Sequence, residues 1–188
     1  MRVLFLSPVQ PLLTLGQPLP KWQMQASWVR ALTRQGHEVR VIKYTPDDKI
    51  KLGWGERAAW NLRVVREVGE VGGADLIIYS LGADVLLPQT VHYIKSKLRA
   101  PLVVLSGVSP IRDGNPRERG MAPLADLAAT NDQSHADEWL KLGAKRAVVL
   151  PIAGVDPELH RERRGGRSKV YKGPAFDYKG RAFSESNG

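Results

Sequence analysis

The chain has 188 residues, 43% hydrophobic and 25% charged, which is room for one well-cored domain and excludes wholesale disorder. It has no cysteine, which excludes a disulfide framework and thiolate metal sites and fits a reducing cytoplasm. Of the net charge of +9, residues 1–160 carry +4 (20 Lys/Arg, 16 Asp/Glu) and residues 161–188 carry +5 (8 and 3), so the excess describes a tail rather than a nucleic-acid-binding body.

"RVLFL" (2–6) reads as a short buried strand, too short for a signal-peptide core, and no run approaches the roughly 18 apolar residues of a membrane span. A Pro-rich loop follows, and then Trp22, Ala26, Val29, Ala31 and Leu32 recur at helical spacing up to a stop at Gly36. "EVRVIKY" (38–44) is a strand. Residues 56–69 form a helix with Ala59, Leu62, Val65 and Val68 on its apolar face, and "DLIIYS" (75–80) is the next strand. Residues 88–99 are helical behind Pro88, and "PLVVLS" (101–106) is again a strand. "DLAAT" (126–130) and "AVVLP" (147–151) are two more, separated by a helical stretch with Asp132 as its N-cap. Strands and helices alternate, and the strands are almost continuously apolar. That predicts an α/β fold of Rossmann-like type, a doubly wound parallel sheet of about six strands over residues 1–155, with a basic C-terminal tail.

In such a sheet ligands lie beyond the carboxyl ends of the strands, so the informative loops are 7–20, 80–87, 106–120, 130–132 and 151–156. The first has Gly16 as its only glycine, ten residues past the strand, and this argues against a nicotinamide or flavin cofactor. "SGVSPIRDGNPRERG" (106–120) is the most polar of them: Asp113 can serve as a general base, and Arg112, Arg117 and Arg119 can hold an anion, although "DGN" is equally an ordinary turn. His37, His92 and His135 do not have the spacing of a metal site, and no metal is expected.

"RVLFLSP", a loop with Gly16, a helix and "LTRQGHEVRVI" resemble the opening of GT-B glycosyltransferases, especially retaining family 4. "LADLAATNDQSHADEWLKLGAKRAVVLPIAGVDPELH" (124–160) resembles the end of that family's N-terminal domain, with one extra residue between Pro151 and Gly154. The resemblance implies that residues 1–156 are the acceptor domain, that Gly16, Ser106, Gly107 and Arg112 bind the acceptor, and that Asp156 marks the hinge to a donor domain. The family often has a histidine where this chain has Ser106-Gly107, and Asp113 is the substitute expected to act in catalysis. In "KVYKGPAFDYKGRAF" (169–183), Gly173 and Lys179 have the spacing of the donor domain's phosphate loop, which gives Lys179 the donor diphosphate, but Pro174 stands where an arginine is expected.

The expectation is thus the acceptor-side domain of a hexosyltransferase, cut short just inside its donor domain and inactive alone, with residues 157–188 a linker and mostly disordered. Its partners are a sugar acceptor and a nucleotide-sugar co-substrate, with no cofactor. The alternatives are a binding subunit that docks on a separate donor-domain chain, and a basic phosphate-binding module; nucleic acid is the weakest partner. A cytoplasmic location is expected, with peripheral membrane contact through Trp22 and Trp28 beside Lys21 and Arg30 as a further reading.

Overall fold

The fold is described from a computed structural model for residues 1–8, 23–46, 52–81, 85–107, 109–111 and 116–150. Its elements in chain order are β1 (Arg2–Ser7), α1 (Gln23–Arg34), β2 (Glu38–Lys43), α2 (Trp54–Gly69), β3 (Leu76–Ser80) and α3 (Pro88–Leu98). They continue with β4 (Leu102–Ser106), α4 (Pro116–Met121) running into a 3-10 turn (Ala122–Leu124), β5 (Leu127–Thr130), α5 (Gln133–Lys141) and β6 (Ala147–Val149). The strands form one sheet in the order β2-β1-β3-β4-β5-β6, and every neighbouring pair is parallel. The expected doubly wound α/β sheet is present.

The strand order decides where the helices go. The β1-α1-β2 step runs one way across the sheet and every later step runs the other way, so right-handed crossovers put α1 on one face and the remaining helices on the opposite face. The core agrees. Val29 of α1 packs with Val3, Phe5, Ile78, Leu105 and Ala129. The alternate strand residues Leu4, Leu6, Ile77, Tyr79, Leu102, Val104 and Ala128 pack with Val64 and Val68 of α2, Val91 and Ile94 of α3, and Trp139 of α5. Both faces are buried, which is why the strands read as unbroken apolar runs. Among the described residues no helix is long and apolar enough to cross a membrane. Trp28 is partly buried against the α1 core.

Two expectations are corrected here. The interior stripe of α2 is Asn61, Val64 and Val68, while Ala59 and Leu62 are exposed. The helix is rotated from the apolar reading because Asn61, a polar residue, occupies the buried face with its bonds satisfied. In addition, the polar segment 106–120 is not loop throughout: α4 begins at Pro116, a residue preset for a first helical turn.

Helices α1 and α5 are followed by glycines in the left-handed region, Gly36 at φ 79° and Gly143 at φ 103°, the usual way to close a helix without a Cβ clash. Helix α3 closes instead on Arg99, at φ 51°.

At the amino edge of the sheet, two aspartates stitch neighbouring strands together. Asp75 immediately precedes β3 and accepts the Arg2 amide (2.8 Å) and its guanidinium (3.2 Å), while Asp126 precedes β5 and accepts the Leu102 amide (2.8 Å). The Arg2 backbone bond, helped by its side chain, lowers the Asp75 pKa. Partial burial pushes the Asp126 carboxyl up, but the Lys145 and Lys95 ammonium groups and the Leu102 amide outweigh it and bring it from 3.8 down to about 2.

A carboxyl depressed in the folded state contributes stability above its unfolded pKa and loses it as pH falls toward the folded value. Lys145 is 67% exposed, so solvent screening leaves on the order of 1–2 kcal/mol of the full linkage. Asp126→Asn is therefore expected to cost that much at about pH 7, with the gap to the parent closing as pH falls from 3.8 to about 2. Urea unfolding across that range checks it; a gap unchanged at the acid end would show that the carboxylate's charge is not the cause.

Candidate functional site

The four central strands, β1, β3, β4 and β5, all end on a hydroxyl residue: Ser7, Ser80, Ser106 and Thr130, each fully buried. The pairing of Leu6 with Tyr79 sets Ser7 level with Ser80, and Ser106 pairs directly with Thr130. Between β1 and β3 the direction of winding reverses, and this is the position where open α/β sheets bind ligands.

Helix α1 starts above that point, and its first turn brings in Gln25. This side chain has no exposed surface, because it shares the sheet-facing stripe with Val29 and Leu32. Its Nε2 donates to Ser80 Oγ at 3.0 Å, and its Oε1 is buried with no hydrogen-bond partner among the described residues. Turning the amide over exchanges the two atoms and still leaves one of them orphaned. The surroundings are held firmly. The Tyr44 hydroxyl donates to the Ser80 carbonyl at 2.8 Å, its ring meets Tyr79 edge-on at 5.4 Å, and Thr45 Oγ1 donates to the Pro8 carbonyl at 2.7 Å. The switch point therefore holds an amide and a serine hydroxyl that are bonded to each other and shielded from solvent.

The β4–β5 half of the edge is polar in a different way. Ser109 donates to Glu138 Oε2, and the Ile111 amide reaches the same oxygen at 3.4 Å, so helix α5 holds the start of the loop after β4. Arg119 donates to the carbonyls of Ile111 (3.0 Å) and Pro110 (3.4 Å), so its guanidinium closes this loop rather than facing an anion. Asp132 caps α5 as expected, accepting the Ser134 amide at 2.7 Å. Bonds from the Ser134 side chain and backbone hold its pKa below the usual carboxylate range. His135 follows in the first turn of α5, with a buried Nδ1 that has no hydrogen-bond partner among the described residues.

Of the residues singled out from the sequence, Ser106 sits fully buried at the end of β4, and Gly107 is exposed, with nothing near where a Cβ would stand. Gly16, Arg112, Asp113, Asp156, Pro174 and Lys179 lie outside the described residues. Sequence reasoning did not find Gln25, Ser80 or Glu138. A polar residue on an apolar helical stripe is the signal that would have pointed to Gln25.

No protein-family model matches the chain. No curated protein matches it either. Among solved structures, a phosphomethylpyrimidine kinase from Clostridium difficile 630 is similar at 12% identity, covering 79% of this chain and 74% of its own, with a TM-score of 0.46. A likeness at that level carries no argument about activity. The membership in the family 4 glycosyltransferases expected from "RVLFLSP" and "LPIAGVDPELH" is therefore corrected: no glycosyltransferase family model and no curated glycosyltransferase matches the chain. The physical reason lies in the motifs. A strand ending on a small polar residue, a capped helix, a closing glycine and a second apolar strand are what any strand–helix–strand unit of a parallel sheet requires.

Proposed function

We propose that the chain is the acceptor-side domain of a sugar-nucleotide-dependent transferase, holding a hydroxyl-rich acceptor at the β1–β3 end of its sheet. The reading rests on the chemistry of the site and not on the family set aside above. Gln25 carries it: a fully buried amide at the switch point has one polar atom without a partner among the described residues, at a cost of about 1–3 kcal/mol. A ligand hydroxyl offsets that cost, since it can donate to Oε1 and accept from a neighbouring donor without bringing a charge into a buried place.

The nucleotide-sugar donor is assigned to another domain or chain. The loop between β1 and α1 has no glycines directly after the strand, so it does not supply the tight turn that seats a pyrophosphate on a helix N-terminus. Asp113 is the base proposed to take the acceptor's proton. A binding subunit that docks on a separate donor-domain chain would use the same site, and a pull-down that restores transfer identifies it.

The test is a titration of the chain with saccharides and with nucleotide sugars, followed by amide shifts in NMR. Saccharides are expected to move the Gln25 side-chain and Ser80 backbone signals. Gln25→Leu, which keeps the buried volume, is expected to weaken them about tenfold with the fold unchanged. Micromolar binding of a nucleotide sugar that ignores Gln25→Leu overturns the reading.

A further inference from the structure

The amino edge of the sheet, opposite the candidate site, carries a cavity of about 580 Å³ between the end of α3, the 3-10 turn and the starts of β4, β5 and β6. His92, Lys95, Ser96 and Arg99 line it from one face of α3, at the helical spacing that stacks them in a stripe. Asp126 and Lys145 close the other side. Three cations thus face a single carboxylate.

Both oxygens of that carboxylate are engaged. Asp126 Oδ1 takes Lys145 Nζ at 2.7 Å, and Oδ2 takes Lys95 Nζ at 2.7 Å and the Leu102 amide at 2.8 Å. Lys95 Nζ also donates to the Leu124 carbonyl at 2.7 Å. Both ammonium groups keep N–H donors in hand, and the Arg99 guanidinium makes no hydrogen bond or ion pair among the described residues. The wall is rich in donors and positively charged, and both oxygens of its one carboxylate are paired with its own lysines.

The dipole of α3 accounts for basic residues in its last turn. It does not account for Arg99, which follows the helix in a left-handed conformation where α1 and α5 use glycine. A strained arginine with an uncommitted guanidinium at the rim of a cationic cavity is placed for a ligand rather than for the fold.

We propose that this cavity is a second ligand site that takes a phosphate group, with Arg99 and Lys145 as its principal donors and Lys95 held in place by Asp126. The planar guanidinium binds two phosphate oxygens at once while the ammonium groups neutralise the remaining charge. The inference is independent of the function proposed for the opposite edge.

Arg99→Gly makes a sharp test, because it removes the guanidinium and relieves the backbone together. The full chain is titrated with inorganic pyrophosphate at low ionic strength, and separately mixed with phosphatidylcholine vesicles with and without phosphatidic acid. Pyrophosphate is expected to shift the amides of Arg99, Leu102 and Lys145. Arg99→Gly and Lys145→Gln are each expected to weaken it about tenfold, with the melting temperature of Arg99→Gly equal to or above the parent's. Retention on phosphatidic acid vesicles that pyrophosphate displaces, and that Arg99→Gly abolishes, identifies the phosphate as a lipid headgroup; pyrophosphate binding without retention identifies a soluble ligand. The proposal is overturned if neither probe binds, or if both variants bind as the parent does.

Discussion

Trp139→Ala is expected to lower the free energy of unfolding by about 3–5 kcal/mol, a large share of the roughly 5–15 kcal/mol that holds a domain together. Trp139 is fully buried in the larger core with Leu102, Val104, Ala128 and Ala144. Strand β5 is "LAAT", and Ala128, the alanine that faces α5, leaves the space beneath the helix to one large side chain. The indole Nε1 is buried without a hydrogen-bond partner among the described residues, so the ring contributes by volume. Trp139→Phe, which removes that orphaned N–H and keeps most of the ring, is accordingly expected to cost less than about 2 kcal/mol. Urea midpoints for the two variants decide it. An alanine variant as stable as the phenylalanine variant would mean that α5 does not depend on this contact.

The sheet was legible because a parallel strand buried on both faces must be apolar throughout, and "VLFL", "LIIYS" and "LVVLS" are. Helix ends were legible where chemistry marks them, as with Pro88, Asp132 and Gly36. Helix α4 was not, since six residues behind "RDGN" make less than two turns and offer no period to detect. The switch-point residues escaped for a different reason. Periodicity treats a polar residue on an apolar stripe as noise, yet Gln25 and Asn61 sit on buried faces because specific partners receive them. The family resemblance failed where it relied on features that every strand–helix–strand unit shares. Nothing in those short motifs reports on which group the strand ends hold.

Asn61→Leu turns that lesson into a measurement. Asn61 is 5% exposed, and its Oδ1 accepts the Leu87 amide at 3.0 Å while Nδ2 donates to the carbonyls of Val85 at 2.9 Å and Arg57 at 2.8 Å. Arg57 lies one turn earlier in the same helix, but Val85 and Leu87 belong to the segment that leads into α3, so one side chain pins α2 to the far end of the β3–α3 connection. Leucine conserves the volume and improves the apolar stripe with Val64 and Val68, which an argument from hydrophobic burial alone would count as a gain. It also strands the Val85 carbonyl in a buried place and the Leu87 N–H in a part-buried one, at about 1–3 kcal/mol each, and this outweighs the gain. The expected result is a net loss of about 2–4 kcal/mol, together with faster hydrogen exchange at the Leu87 amide, whose acceptor is the deleted side chain. Unchanged exchange at Leu87 would show that another acceptor holds this amide.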